Sequence, residues 1–126
     1  MRPERPKALV TGGNRGIGLA IAQGLLAAGM DVVIGVRDAA AGDEAAIRLG
    51  CGSAQVDLAA VARDGGLADA LLAQIGPVDV LVNNAGVLIE TNMIDDPAGF
   101  YASVDVMFRA PYELIRAVVP DGRAHV

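Results

Sequence analysis

Four glycines fall within eight residues, Thr11-Gly12-Gly13-Asn14-Arg15-Gly16-Ile17-Gly18, and no other segment of the chain limits its fold so tightly. Ahead of them, Lys7-Ala8-Leu9-Val10 is an apolar stretch too short for a helix, which reads as a buried strand over 7–10. Behind them, Ile17, Ala20, Ile21, Leu25 and Leu26 recur at three- and four-residue steps up to Gly29, so a helix is expected over 16–28. In such a strand–turn–helix one glycine permits the bend, another lets backbone approach a phosphate, and a third lets helix and strand pack closely. The helix start adds unpaired N–H groups and the positive end of the helix dipole, so the turn is an anion site by geometry. It is not a P-loop, because no Lys-Ser/Thr follows the last glycine, and the strict Gly-x-Gly-x-x-Gly spacing is also absent.

The rest of the chain repeats the alternation. The β-branched stretch 31–36 predicts a strand covered on both faces, and 39–49 a helix ended by Gly50. A short strand is expected over 53–57, and one helix over 60–75, carrying Leu67, Leu71 and Ile75 and stopped by Gly76-Pro77. A strand over 78–82 runs into Asn83-Asn84-Ala85-Gly86. After a connection at 87–97, Asp96-Pro97 opens a helix over 98–119, which Pro111 is expected to kink. Residues 123–126 begin a fifth strand. Strands alternating with helices make a single α/β domain over 1–126, a parallel sheet of about five strands in a three-layer sandwich.

Composition removes several classes of function. The 126 residues carry a net charge of −5 with no basic run, which gives no footprint for nucleic acid or an anionic membrane surface. At 53% apolar and 20% charged residues the chain is too hydrophobic for disorder, yet no apolar stretch approaches the ~20 residues of a membrane span. Residues 1–6 lack the apolar segment of a secretory signal, so a cytoplasmic location is expected. The lone Cys51 has no disulfide partner and belongs to no metal motif; it reads as a buried or half-buried side chain. Asp95-Asp96 reads as a helix cap, and no metal site is expected.

Thr11-Gly12-x-x-x-Gly16-x-Gly18, followed by Asn83-Asn84-Ala85-Gly86, resembles the short-chain dehydrogenase/reductase family. Asp57-Leu58, Val78-Asp79-Val80-Leu81-Val82 and Arg109-Ala110-Pro111-Tyr112 extend the resemblance over residues 7–126. It implies a Rossmann-type, doubly wound NAD(P)-binding fold, of which this chain is the N-terminal, cofactor-binding portion, incomplete at the C-terminus. It also implies that Gly12, Asn14, Arg15, Gly16, Ile17 and Gly18 hold a pyrophosphate and that Asp57 meets the adenine. On the same ground Leu58, Asn84, Ala85 and Gly86 line the adenosine and nicotinamide-ribose side, and Thr11 ties the glycine turn to the strand before Asn83.

Cofactor choice follows from charge. An acid at the end of the second strand accepts bonds from a ribose 2′-hydroxyl and repels a 2′-phosphate, whereas a nearby Arg accommodates that phosphate. Val36 stands where the family's NAD-selective acid lies, Arg37 follows it, and Arg15 adds a second cation, which favours NADP(H). Asp38 keeps NAD(H) open, since it could accept a 2′-hydroxyl or pair with Arg37.

The resemblance also shows what is missing. In the family a Ser, a Tyr-x-x-x-Lys pair and an Asn do the proton work of hydride transfer. Met107 occupies the Asn position, Tyr101 and Tyr112 have no Lys four residues on, and Lys7 is the only lysine. Both tyrosines, with Met93, Met107 and Phe108, are expected to pack as core or interface side chains, and His125 as a strand or solvent residue. No catalytic residue is assigned. The expected function is therefore the NADP(H)-binding domain of an oxidoreductase acting on alcohol or carbonyl groups, without turnover by this chain alone. The alternatives are a non-catalytic nucleotide-binding or interaction scaffold and a fragment of a longer reductase. Homo-oligomerisation is expected through the Phe108, Tyr112 and Ile115 side of the 98–119 helix or through an open sheet edge.

Overall fold

Each of the short apolar stretches finds its hydrogen-bonding partners in a neighbouring one. In the computed structural model, which describes residues 5–86 and 95–119, four parallel strands form one sheet: β1 (Lys7–Thr11), β2 (Asp31–Val36), β3 (Gly52–Gln55) and β4 (Val80–Val82). Their order is β3-β2-β1-β4, with Leu9 opposite both Val33 and Leu81, and Val36 opposite Gln55. The fifth strand expected at 123–126, with His125, and most of the 87–97 connection, with Met93, lie outside the described residues.

Side chains alternate across the sheet, so β1 sends Ala8 and Val10 to one face and Leu9 to the other. Helices α1 (Gly16–Ala27) and α2 (Ala39–Leu49) cover the first face with Ala22, Ala45 and Ala46. The second face is covered by α3 (Leu58–Arg63), α4 (Gly66–Ile75) and α6 (Ala110–Val118), through Val61, Ala68, Leu71, Leu114 and Val118. The expected three-layer α/β sandwich is present, with Leu9, Ile34, Leu81 and Leu114 fully buried at its centre. Among the described residues no helix is long and apolar enough to cross a membrane.

Four expectations need correction. The helix expected over 60–75 is two helices, because Asp64 takes an extended conformation and its carboxylate accepts the Gly66 N–H at 3.0 Å. The third strand ends at Gln55 rather than 57, since Asp57 turns to cap α3 by accepting the Ala60 N–H at 3.3 Å. In α1, Ile21, Leu25 and Leu26 pack against the core as expected, but the most buried positions are Gly18 and Ala22, and Ile17 is 75% exposed.

The 98–119 helix is the fourth. It comprises α5 (Pro97–Val104), a π-helical turn at Asp105–Arg109 and then α6. In this wider turn the Ala110 N–H donates to the Asp105 carbonyl, five residues back, and the turn accommodates the Pro111 ring at the start of α6. Four of its large side chains do not enter the core, the first of the two roles expected of them. Tyr101, Met107, Phe108 and Tyr112 are all exposed, and Ile115 is partly buried against the core.

Cys51 is half-buried, and burial, followed by the nearby Asp31 carboxylate, pushes its thiol pKa up. The expected result is iodoacetamide labelling slower than that of a free thiol at pH 8, with a pH–rate midpoint above that of the unfolded chain. The folded thiol keeps its proton longer than the unfolded one. Its contribution to stability is therefore present below the unfolded-chain pKa and lost as pH rises through the folded value. A midpoint equal to that of the unfolded chain refutes this.

Candidate functional site

Because all four strands run parallel, their carboxyl ends lie along one edge of the sheet, and nearly all the residues singled out in the sequence fall there. The glycine turn follows β1, Arg37 follows β2, Asp57 and Leu58 follow β3, and Asn84 to Gly86 follow β4. The chain proceeds from β1 outward in opposite directions, to β2 on one side and β4 on the other. That reversal opens the crevice in which doubly wound sheets bind ligands.

One buried hydroxyl fixes the crevice. Thr11 is 2% exposed; its Oγ1 accepts the Asn84 and Ala85 N–H groups, each at 3.1 Å, and donates to the Val82 carbonyl at 3.4 Å. This is the tie expected of Thr11. The Asn84 side chain adds a strap that the sequence reading missed: its Nδ2 donates to the Thr11 carbonyl at 3.1 Å and to the Gly12 carbonyl at 3.2 Å. The signal was the second Asn of Asn83-Asn84-Ala85-Gly86, whose amide can donate twice. Gly18 packs so closely beneath this strap that a Cβ on it would overlap the Gly12 carbonyl oxygen and Asn84 Nδ2.

The start of α1 differs from those of the other helices that open out of a strand end. Asp38 caps α2 through the Ala40 and Ala41 N–H groups at 3.0 and 3.2 Å, and Asp57 caps α3. At α1 the N-cap residue, Arg15, makes no side-chain bond to the helix, and the first intrahelical bond runs from Leu19 N–H to the Arg15 carbonyl. Among the described residues, the opening N–H groups thus lack a capping acceptor. At Gly16, with φ +58°, no atom of the described residues outside its chain neighbours and its own helix backbone comes within 4 Å of where a Cβ would be, so the space beside those groups is open. An uncapped helix start, open backbone at Gly16 and a neighbouring cation at Arg15 fit the pyrophosphate of a dinucleotide.

Toward β3, Arg37 is exposed, and among the described residues neither its guanidinium nor that of Arg15 has a hydrogen bond or ion pair. The Asp38 carboxylate is engaged with the α2 start and forms no ion pair with Arg37. Asp57 combines its exposed position with its capping role, and Leu58 beside it is half-buried. Asn14 and Ala85 are half-buried, and Gly86 is exposed. Met107, on the π-helical turn, brings its methyl to 3.9 Å from where a Cβ on Gly86 would stand, so a thioether borders the far end of the crevice. Among the described residues no three His, Cys, Asp or Glu side chains gather as metal ligands.

This architecture, with its site at the switch point, defines a dinucleotide-binding α/β domain of Rossmann type. The model of the short-chain dehydrogenase family matches residues 6–124, and the chain belongs to that family. The rhamnolipid-biosynthesis 3-oxoacyl-(acyl-carrier-protein) reductase of Pseudomonas aeruginosa is 51% identical over 83 residues, covering 63% of this chain and 32% of that protein. Carbonyl reductase (NADPH) 1 of Rattus norvegicus is 34% identical over 137 residues, covering 98% of this chain and 48% of the relative. Among solved structures, the Pseudomonas aeruginosa RhlG/NADP active-site complex superposes with a TM-score of 0.78 at 38% identity, over 91% of this chain and 47% of that one. A gluconate 5-dehydrogenase from Burkholderia cenocepacia in complex with NADP and tartrate gives 0.78 at 31% identity, over 94% and 49%. The chain thus spans about half the length of the carbonyl reductase, and less of the first relative.

Proposed function

We propose that the chain binds NADP(H) at the carboxyl edge of its sheet and serves as the cofactor-binding portion of a reductase acting on carbonyl or alcohol groups. The observation that carries this reading is the uncapped start of α1 beside the open Gly16 backbone. The names of the carbonyl reductases and of the NADP complexes among its relatives support the same cofactor. In this reading the N–H groups of Gly16, Ile17 and Gly18 receive the pyrophosphate, while Thr11 and Asn84 hold the turn that presents them. Arg37 and Arg15 neutralise the 2′-phosphate, and Asp38, committed to its cap, does not compete for it. Bound NADP(H) supplies the hydride. No proton donor is assigned here, and Met107 offers only a thioether where the resemblance places an Asn, so the chain alone is expected not to turn over.

Titration with NADPH and with NADH, followed by calorimetry or by cofactor fluorescence, tests the reading; the chain has no Trp to interfere. NADPH is expected to bind more tightly. Because exposed ion pairs with phosphate are worth only ~1–2 kcal/mol, Arg37→Ala should weaken NADPH about tenfold and leave NADH nearly unchanged. Equal affinities for the two cofactors, or no binding at millimolar concentration, refute the reading. The second of these results favours a non-catalytic scaffold. That second reading rests on Met107 and on the exposed Phe108 and Tyr112, which offer a surface for self-association; a monomer in sedimentation at micromolar concentration counts against it.

A further inference from the structure

We infer that Gln55 is a positioning residue for 2′-phosphate selectivity, acting through Arg37; the inference rests on the reading of Arg37 given above. Gln55 is the last residue of β3, directly opposite Val36, the last of β2. The adjacent Val56 N–H donates to the Val36 carbonyl at 3.0 Å, so the ladder is still closed at this point. One residue further on, no backbone N–H among the described residues donates to the Arg37 carbonyl. The Gln55 side chain takes that place, with Nε2 donating to that oxygen at 3.2 Å.

On the other side of Arg37, Asp38 is fixed by its two bonds to Ala40 and Ala41. The Arg37 backbone is therefore clamped from both directions at the exposed strand end, while its guanidinium has no partner among the described residues. A cation on a fixed Cα loses less conformational freedom on capturing a phosphate than one on a swinging loop. Gln55 itself is exposed and packs into neither core cluster, so removing its amide affects the clamp rather than the fold. A methionine at 55 keeps the length of the side chain and has no donor.

The test is direct binding of NADPH and NADH, with competition by 2′-AMP and 5′-AMP, to the wild type, Gln55→Met, Arg37→Ala and the double variant. Loss of one hydrogen bond of this kind predicts that Gln55→Met weakens NADPH and 2′-AMP about three- to tenfold and alters NADH and 5′-AMP less than about twofold. In the Arg37→Ala background the same substitution should have no further effect. Wild-type NADPH/NADH discrimination in Gln55→Met, with discrimination lost in Arg37→Ala, overturns the Gln55 assignment and leaves the Arg37 reading standing. Unchanged discrimination in Arg37→Ala overturns both. Additive losses in the double variant show that Gln55 acts on the phosphate by itself, which also overturns its action through Arg37.

Discussion

Gly18→Ala is expected to destabilise the free chain by about 2–3 kcal/mol in urea denaturation, although the same exchange in an ordinary helix interior stabilises by ~1 kcal/mol. The sign reverses because of what surrounds Gly18. Its backbone lies against the Gly12 carbonyl and the Asn84 amide, and the new methyl would occupy the space of both. Neither neighbour can yield, since Asn84 is already bonded to the Thr11 and Gly12 carbonyls at 3.1 and 3.2 Å. Gly16→Ala is the control, two residues away. There the added methyl meets nothing within 4 Å, and only the left-handed backbone at φ +58° opposes it, which costs about 1 kcal/mol. Gly16→Ala should therefore leave the fold intact yet weaken NADPH at least about tenfold, because a methyl beside the uncapped α1 start blocks close approach of a phosphate. A stable Gly18→Ala chain, or a Gly16→Ala chain with wild-type NADPH affinity, would show that the crevice is built differently.

The second large effect belongs to Thr11. Thr11→Val keeps the shape of a buried side chain but removes the hydroxyl that accepts two N–H groups and donates to Val82. The Asn84 N–H retains an acceptor in the Val82 carbonyl at 3.1 Å, whereas among the described residues no other acceptor stands in for Thr11 at the Ala85 N–H. With one half-buried donor left without its acceptor and two further bonds lost, the expected loss is about 2 kcal/mol by the same measurement. Thr11→Ser, which restores the hydroxyl, should recover most of it. NADPH affinity should fall in Thr11→Val as well, because the glycine turn and the Asn84 turn are no longer held together. Equal stability of the Val and Ser variants would refute this role of the hydroxyl.

Much of the scaffold was legible locally. The glycine turn, the β-branched second strand, the Gly50 and Gly76 stops and the Asp96-Pro97 helix start all lie where their own chemistry puts them, because a cap or a breaker acts within one turn of the chain. The errors have separate origins. Periodicity placed Ile21, Leu25 and Leu26 correctly against the core but assigned Ile17 to the same face, whereas Gly18, lying against the Gly12 carbonyl and the Asn84 amide, takes the covered position of that first turn. The 60–75 segment read as one helix although Leu67, Leu71 and Ile75 all lie after Asp64-Gly65-Gly66, so the breakers stood in plain view and the pattern itself covers only α4. Pro111 announced a distortion and not its form, since a kink and a widened turn both relieve the same clash.

The sequence by itself determined the alternation of strands and helices, the glycine turn and the cations flanking it, because these depend on residue type and spacing over a few positions. Only the tertiary structure decided which strand neighbours which, and so placed the turns after β1 and β4 side by side. It alone shows Thr11 reaching Asn84 across 73 positions and Gln55 reaching the Arg37 carbonyl across 18. The physical reason is the range of the forces. A hydrogen bond acts over about 3 Å, so partners far apart in sequence meet only where the packed sheet has already brought their backbones together.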